Sequence, residues 1–126
     1  MPLKKVLIVD DSTTMRKIIA RVLRQADIAV ECVLEASNGV EGLERLVSDP
    51  DIQLVLSDVN MPAMDGIAFV RAVRANHSKE SMPLIMITTE GGGQMVQAAL
   101  DSGANGYVTK PFNSDTMRGA LEAYLG

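Results

Sequence analysis

Sulfur and imidazole chemistry are almost absent from this chain, which carries one cysteine, Cys32, and one histidine, His77. A single cysteine excludes an intramolecular disulfide and leaves a cysteine-built zinc site without its ligands. Cys32 lies in a short apolar run and reads as a small buried hydrophobe. His77 stands in the polar stretch Asn76-His77-Ser78-Lys79-Glu80, expected to be a solvated loop. Nucleophilic catalysis through a Ser–His or Cys–His pair is therefore not expected. Long apolar runs are missing too: none approaches the roughly 20 residues that span a bilayer. The opening stretch, Met1 to Asp11, has a short apolar run that ends in two acids without a small-residue cleavage site, unlike a signal peptide. No run of Lys or Arg exceeds two residues and the net charge is -4, which leaves no footprint for nucleic acid. These absences lead us to expect a cytoplasmic chain with no membrane insertion.

What is present fits one domain. The 126 residues are 47% hydrophobic and 22% charged, enough to bury a single core. Five apolar runs have strand length: Lys5–Val9, Ala29–Leu34, Leu54–Ser57, Leu84–Thr88 and Gly106–Thr109. The first, third and fourth are nearly continuous, as in strands buried on both faces of a parallel sheet. Between them apolar residues recur at helical spacing: Met15, Ile18, Ile19, Val22 and Leu23; Val40, Leu43, Leu46 and Val47; Ile67, Val70 and Val73; Met95, Ala98, Ala99 and Ser102; Met117, Ala120, Leu121, Tyr124 and Leu125. The methionines in these stripes read as core filler. Asn38 with Glu41 suits a capping box, Asn113 suits a cap for the last helix, and Gly103 suits a left-handed residue after the fourth. The order is (βα)5, an α/β fold with a parallel sheet and helices on both faces. The expected organisation is one domain over residues 1–126, with no output domain.

Sites of such sheets lie at the carboxyl ends of the strands. The first strand ends in Asp10-Asp11, the third in Asp58, the fourth in Thr88 and the fifth in Lys110-Pro111. The second, ending in Glu35-Ala36, offers nothing obvious and suits an edge beside the first. Three carboxylates in one place repel each other, and a hard divalent cation such as magnesium relieves this through oxygen ligands. An aspartate beside it can act as a nucleophile on phosphorus, while the lysine and the threonine hydroxyl bind phosphoryl oxygens. Each feature alone is weak. An Asp pair after a strand is usually a solvated turn or cap, a Thr at a strand end is usually only a β-branched residue, and a Lys before Pro usually faces solvent.

Together, Val9-Asp10-Asp11-Ser12, Ser57-Asp58-Val59-Asn60-Met61-Pro62-Ala63-Met64-Asp65-Gly66, Thr88-Thr89-Glu90 and Tyr107-Val108-Thr109-Lys110-Pro111-Phe112 resemble the receiver domains of bacterial response regulators, specifically the CheY-like single-domain group. The resemblance covers the whole chain. It implies a flavodoxin-like sheet of order 2-1-3-4-5 and a two-component system in which a sensor histidine kinase phosphorylates Asp58 with Mg2+. It implies that Asp11, Asp58 and the Asn60 carbonyl ligate the metal, with Asp10 acting mostly through water. Lys110, joined to Pro111 by a cis peptide, would pair with the acceptor and then with the phosphoryl group. Thr88 and Tyr107 would act as the switch, and Asn60 and Glu90 would set the rate of hydrolysis. Such a protein is no enzyme beyond its own phosphorylation and dephosphorylation. Its implied partners are the kinase, an effector such as the flagellar motor switch, and a phosphatase.

From position alone Tyr107 reads as a static core aromatic, and Asp65-Gly66 as a turn. The chain departs from the resemblance at Gly91-Gly92-Gly93 and Ala120, where the best-known members carry lysines; three glycines lower the cost of alternative backbones. Two other readings compete within the fold class. A phosphohydrolase with an aspartate nucleophile wants that residue after the first strand, with a second Asp two positions on, unlike Asp10-Asp11-Ser12. A flavin- or nucleotide-binding protein wants a phosphate loop there, which the two acids oppose. Within the receiver reading, a phosphorelay shuttle stands beside the chemotaxis role.

Overall fold

A computed structural model of the chain describes residues 3–28, 30–58, 66–79, 81–88 and 94–124. The apolar runs form five parallel strands, β1 (Leu3–Val9), β2 (Val30–Ala36), β3 (Ile52–Asp58), β4 (Leu84–Thr88) and β5 (Gly106–Thr109), in the order β2-β1-β3-β4-β5. Helices α1 (Thr13–Gln25), α2 (Gly39–Ser48), α3 (Gly66–Arg74), α4 (Gln94–Ser102) and α5 (Ser114–Leu121) alternate with them, and a 3-10 turn, Glu122–Tyr124, follows α5. The order explains the composition. β1, β3 and β4 are interior, and all five residues of β4 are buried. β2 and β5 form the edges and are only partly covered.

Because strand side chains alternate between faces, the interior strands feed two cores. Leu7, Val9, Val55, Leu84 and Met86 pack with Leu46 of α2, Phe69, Val70 and Val73 of α3 and Ala99 of α4. Val6, Ile8, Leu54, Leu56, Ile85 and Ile87 pack with Ile19, Val22 and Leu23 of α1 and Met117 and Leu121 of α5. The chain thus crosses to one face for α2, α3 and α4 and to the other for α1 and α5. The order reverses between β1 and β3, so the crevice at their carboxyl ends is the switch point of the sheet.

Several local expectations need correction. Val40 and Val47 are not on the buried face of α2; they are 44% and 85% exposed. The helix instead buries Gly39, Gly42 and Leu46. A hydropathy stripe overlooks glycine, yet at Gly42 an added Cβ would lie 2.9 Å from Phe69 Cε1 and 3.2 Å from Val9 Cγ2, so close approach selects the face. On α4 the packed residues are Val96, Ala99 and Leu100, while Ala98 and Ser102 are half-buried and only the backbone of Met95 is described. Leu125 lies outside the described residues. Cys32 is half-buried rather than core, because β2 is an edge. His77 is also half-buried, its amide bonded to the Val73 carbonyl at the end of α3.

The caps hold with one adjustment. Asn38 Oδ1 accepts from the Glu41 amide at 2.9 Å, but the Glu41 carboxylate reaches back to the amide and hydroxyl of Ser37, not to Asn38. Asn113 and Thr116 form a full capping box. Gly103 has φ 123°, and its carbonyl accepts from Arg74 Nε at 2.7 Å. The same guanidinium reaches the Met82 carbonyl and Asn105 Oδ1, clasping the amino-terminal ends of β4 and β5.

The face of α2 is testable by urea unfolding. Leu46→Ala is expected to cost about 2–4 kcal/mol, whereas Val47→Ala should stay within about 0.5 kcal/mol. Gly42→Ala gains about 1 kcal/mol of helix propensity but overpacks the rigid Phe69 ring by about 1–3 kcal/mol, so a net loss is expected.

Candidate functional site

The acids meet at the switch point. Asp58 is the last residue of β3, and Asp10 and Asp11 follow β1 directly. One carboxylate oxygen from each of Asp10, Asp11 and Asp58 can be chosen so that all lie within 4.8 Å of one another. Asp10 is buried, Asp58 half-buried and Asp11 exposed, so the cluster opens to solvent on one side.

Local bonding pins Asp10. Its amide donates to the Ala36 carbonyl at 3.0 Å, and its own carbonyl accepts from Arg16 Nη1 at 2.6 Å. Its Oδ1 accepts from the Ser12 amide at 2.9 Å. Ser12 in turn caps α1, with its hydroxyl accepting from the Met15 amide at 3.1 Å. The other oxygen, Oδ2, is buried and makes no hydrogen bond among the described residues. An orphaned carboxylate oxygen is costly away from water, and here it belongs to a cluster of hard oxygen donors. That donor set fits a divalent cation such as Mg2+, which prefers oxygen and keeps open positions.

The amine arrives from β5. Lys110 follows that strand, its bond to Pro111 is cis, and its Nζ lies 3.8 Å from Asp58 Oδ1 and 4.0 Å from Asp10 Oδ2. Its amide donates to the Thr88 carbonyl at 2.6 Å. Thr88 ends β4, is 3% exposed, and neighbours the acceptor strand, where Asp58 pairs with Ile87. Tyr107, on edge strand β5, is 40% exposed, so it is not the core aromatic that position alone suggested. Asn60, Asp65, Glu90 and Gly91-Gly92-Gly93 lie outside the described residues.

Three residues near the site, Arg16, Glu35 and Ala36, have roles that the sequence does not announce. Arg16 Nε bonds Glu35 Oε1 at 2.8 Å and Nη2 bonds Thr13 Oγ1 at 3.1 Å, besides the bond to the Asp10 carbonyl. The second strand is therefore not idle: it runs through Ala36, and both Glu35 and Ala36 brace the acid turn. The available signal was a basic residue in the opening turns of a helix, where the dipole disfavours it.

Burial holds the Asp10 carboxyl above the ordinary carboxylate value, opposed by the Ser12 amide, raised further by the Asp58 charge and lowered by Lys110. A buried acid raised in this way keeps its proton at pH values where the unfolded chain has lost it. Stability of the metal-free fold therefore falls as pH rises from the ordinary value, 3.8, through the raised one, and the cost is full above both. Melting in a chelator should show Asp10→Asn more stable than wild type by a few degrees at neutral pH. That gain should vanish in acid, where both side chains are neutral, and added Mg2+ should stabilise the wild type more than the variant.

Comparison with known proteins agrees with this geometry. Residues 6–122 match the family model of the response regulator receiver domain. Chemotaxis protein CheY1 of Helicobacter pylori strain J99 is 45% identical over 97% of this chain and 97% of its own length. A chemotaxis protein CheY homolog of Campylobacter jejuni is 44% identical over 97% of this chain and 92% of its own. Among solved structures, chemotaxis protein CheY4 of Vibrio cholerae superposes with a TM-score of 0.81 at 36% identity, covering 97% of this chain and 98% of that one. A probable two-component system response regulator/GGDEF domain protein superposes with a TM-score of 0.87 at 34% identity over 97% of this chain; this chain spans about half, 49%, of its length. With a parallel sheet of order 2-1-3-4-5, three aspartates at its switch point and a lysine facing them, this chain belongs to the response regulator receiver domain family.

Proposed function

We propose that this chain is a stand-alone receiver that takes a phosphoryl group from a sensor histidine kinase onto Asp58 and thereby changes its affinity for a protein effector. The observation that carries the reading is Lys110 Nζ at 3.8 Å from Asp58 Oδ1, beside the cluster of Asp10, Asp11 and Asp58. Asp58 is half-buried beside the exposed Asp11, so a donor would reach it from the side on which the cluster opens to solvent. In the transfer, an Asp58 carboxylate oxygen forms a bond to phosphorus as the bond from phosphorus to the donor nitrogen breaks.

Asp11 and Asp58, with the Asn60 carbonyl, would hold Mg2+, and Asp10 would act mostly through water. When bound, the ion neutralises carboxylate and phosphoryl charge. Lys110 supplies a further positive charge at the acceptor, and the Thr88 hydroxyl supplies a donor for a phosphoryl oxygen. Catalysis of this kind is positioning and charge neutralisation. Asn60 and Glu90 are proposed to govern the rate of autodephosphorylation.

Phosphorylation adds nearly two negative charges and strong acceptors. They favour Thr88 turned toward the phosphoryl group, and Tyr107, exposed in this structure, is proposed to swing inward behind it. The face made by α4, β5 and α5 would then have two states with different affinity for the effector. The chemotaxis names of the Helicobacter and Campylobacter relatives support a chemotaxis role, with the flagellar motor switch as effector and a phosphatase as a further partner. A cytoplasmic location accords with the absence, among the described residues, of a helix long and apolar enough to cross a membrane.

Intact-mass spectrometry after incubation with a small phosphodonor is expected to show a single phosphoryl adduct. It should disappear in Asp58→Asn and on omission of Mg2+; an adduct that survives in the variant would overturn the assignment of the acceptor. Thr88→Ala should still take the adduct but lose most of the phosphorylation-dependent gain in effector binding. Undiminished dependence would refute the switch.

A further inference from the structure

Arg16 stands four residues after the N-cap Ser12, on a helix that has no acid in its first turn. A cation there opposes the helix dipole, and its side chain is only 13% exposed, so solvent does not account for its placement. The guanidinium instead uses three nitrogens on three partners: Nη1 on the Asp10 carbonyl at 2.6 Å, Nε on Glu35 Oε1 at 2.8 Å and Nη2 on Thr13 Oγ1 at 3.1 Å. An arginine presents such a fork in one rigid plane, whereas the ammonium of lysine is a compact point charge.

We propose that Arg16 is a positioning residue for the acid turn, and that it sets the metal affinity of the site without touching the metal. The inference rests on the receiver reading. The Asp10 carbonyl and the Asp11 amide share one peptide plane. The bond from Arg16 fixes that plane and hence the direction in which the chain carries Asp11 out of the turn. The Ala36 carbonyl holds the Asp10 amide and the Ser12 amide holds Asp10 Oδ1. With the third bond from Arg16, the backbone on both sides of Asp10 and its carboxylate are all held. Asp11, the exposed member of the cluster, takes its place from that plane. Glu35, whose side chain is 47% exposed, orients the guanidinium from the end of β2 and is the weaker partner.

Charge and geometry make opposite forecasts. Removal of a positive charge close to a cation site tightens cation binding by Coulomb attraction alone. Loss of a positioning partner weakens it by about tenfold or more. Isothermal titration calorimetry with Mg2+ on the full chain separates them. Arg16→Gln is expected to raise the Mg2+ dissociation constant about tenfold while still melting cooperatively in a chelator. Arg16→Lys, with its charge kept and its fork lost, should fall between Arg16→Gln and wild type. Glu35→Gln should stay close to wild type, since an amide oxygen still accepts from Nε.

An Mg2+ affinity that is unchanged or tighter in Arg16→Gln overturns the proposal, as does a variant that loses only metal-free melting temperature. If Arg16→Gln does not fold, Arg16→Lys decides, and wild-type affinity in that variant overturns the positioning role. A wild-type chain that binds no Mg2+ is a different failure, because it removes the receiver reading together with the inference built on it.

Discussion

Mutual repulsion among three carboxylates is the constraint on which the rest of this molecule depends. Asp10, Asp11 and Asp58 are brought within 4.8 Å at one end of the sheet, an arrangement that opposes the net stability of the fold. It persists because the surrounding structure is over-determined. Lys110 comes from a different strand to face two of the acids, the Ser12 amide holds one carboxylate oxygen, and a guanidinium braces the turn. One oxygen, Asp10 Oδ2, is buried without a hydrogen bond among the described residues. An acid cluster held in this way responds strongly to an added cation or an added phosphoryl group, because each relieves or extends the same charge imbalance.

The scaffold supplies the stiffness this requires. Interior strands whose side chains are buried on both faces leave few ways for β1 and β3 to shift against each other. Thr88 and Lys110 are joined through the backbone, the Lys110 amide on the Thr88 carbonyl. The acid cluster is thereby linked through the backbone to β4 and β5, next to the exposed ring of Tyr107. At the other end of the sheet, the Arg74 clasp on Gly103, Met82 and Asn105 ties down the turns that enter β4 and β5. One end of the sheet is fastened while the other carries the acid cluster.

Much of the fold was legible because its rules are local. Continuous apolar runs such as Leu84–Thr88 announce interior parallel strands, and helical stripes announce the covering layers. Errors arose where packing, not hydropathy, chose the buried face. On α2 a glycine lets Phe69 approach, so Val40 and Val47 turn to solvent. Cys32 and Tyr107 read from position as core residues and are not, because an edge strand buries its side chains only partly. Strand order itself came from the resemblance and not from composition, since any (βα)5 chain can be wound in several orders.

The sequence by itself determined the strand-ending acids, the lysine before proline, the threonine and the alternation of strand and helix, because each is a residue type at a countable spacing. Only the tertiary structure decided that Arg16 reaches back to the Asp10 carbonyl, that Glu35 and Ala36 of the second strand brace the acid turn, and which Asp10 oxygen makes no hydrogen bond among the described residues. The bracing by the second strand joins residues 19 to 26 apart in the chain (Arg16 to Glu35 and Asp10 to Ala36). Such contacts exist only once the strands are aligned, and no local periodicity records them.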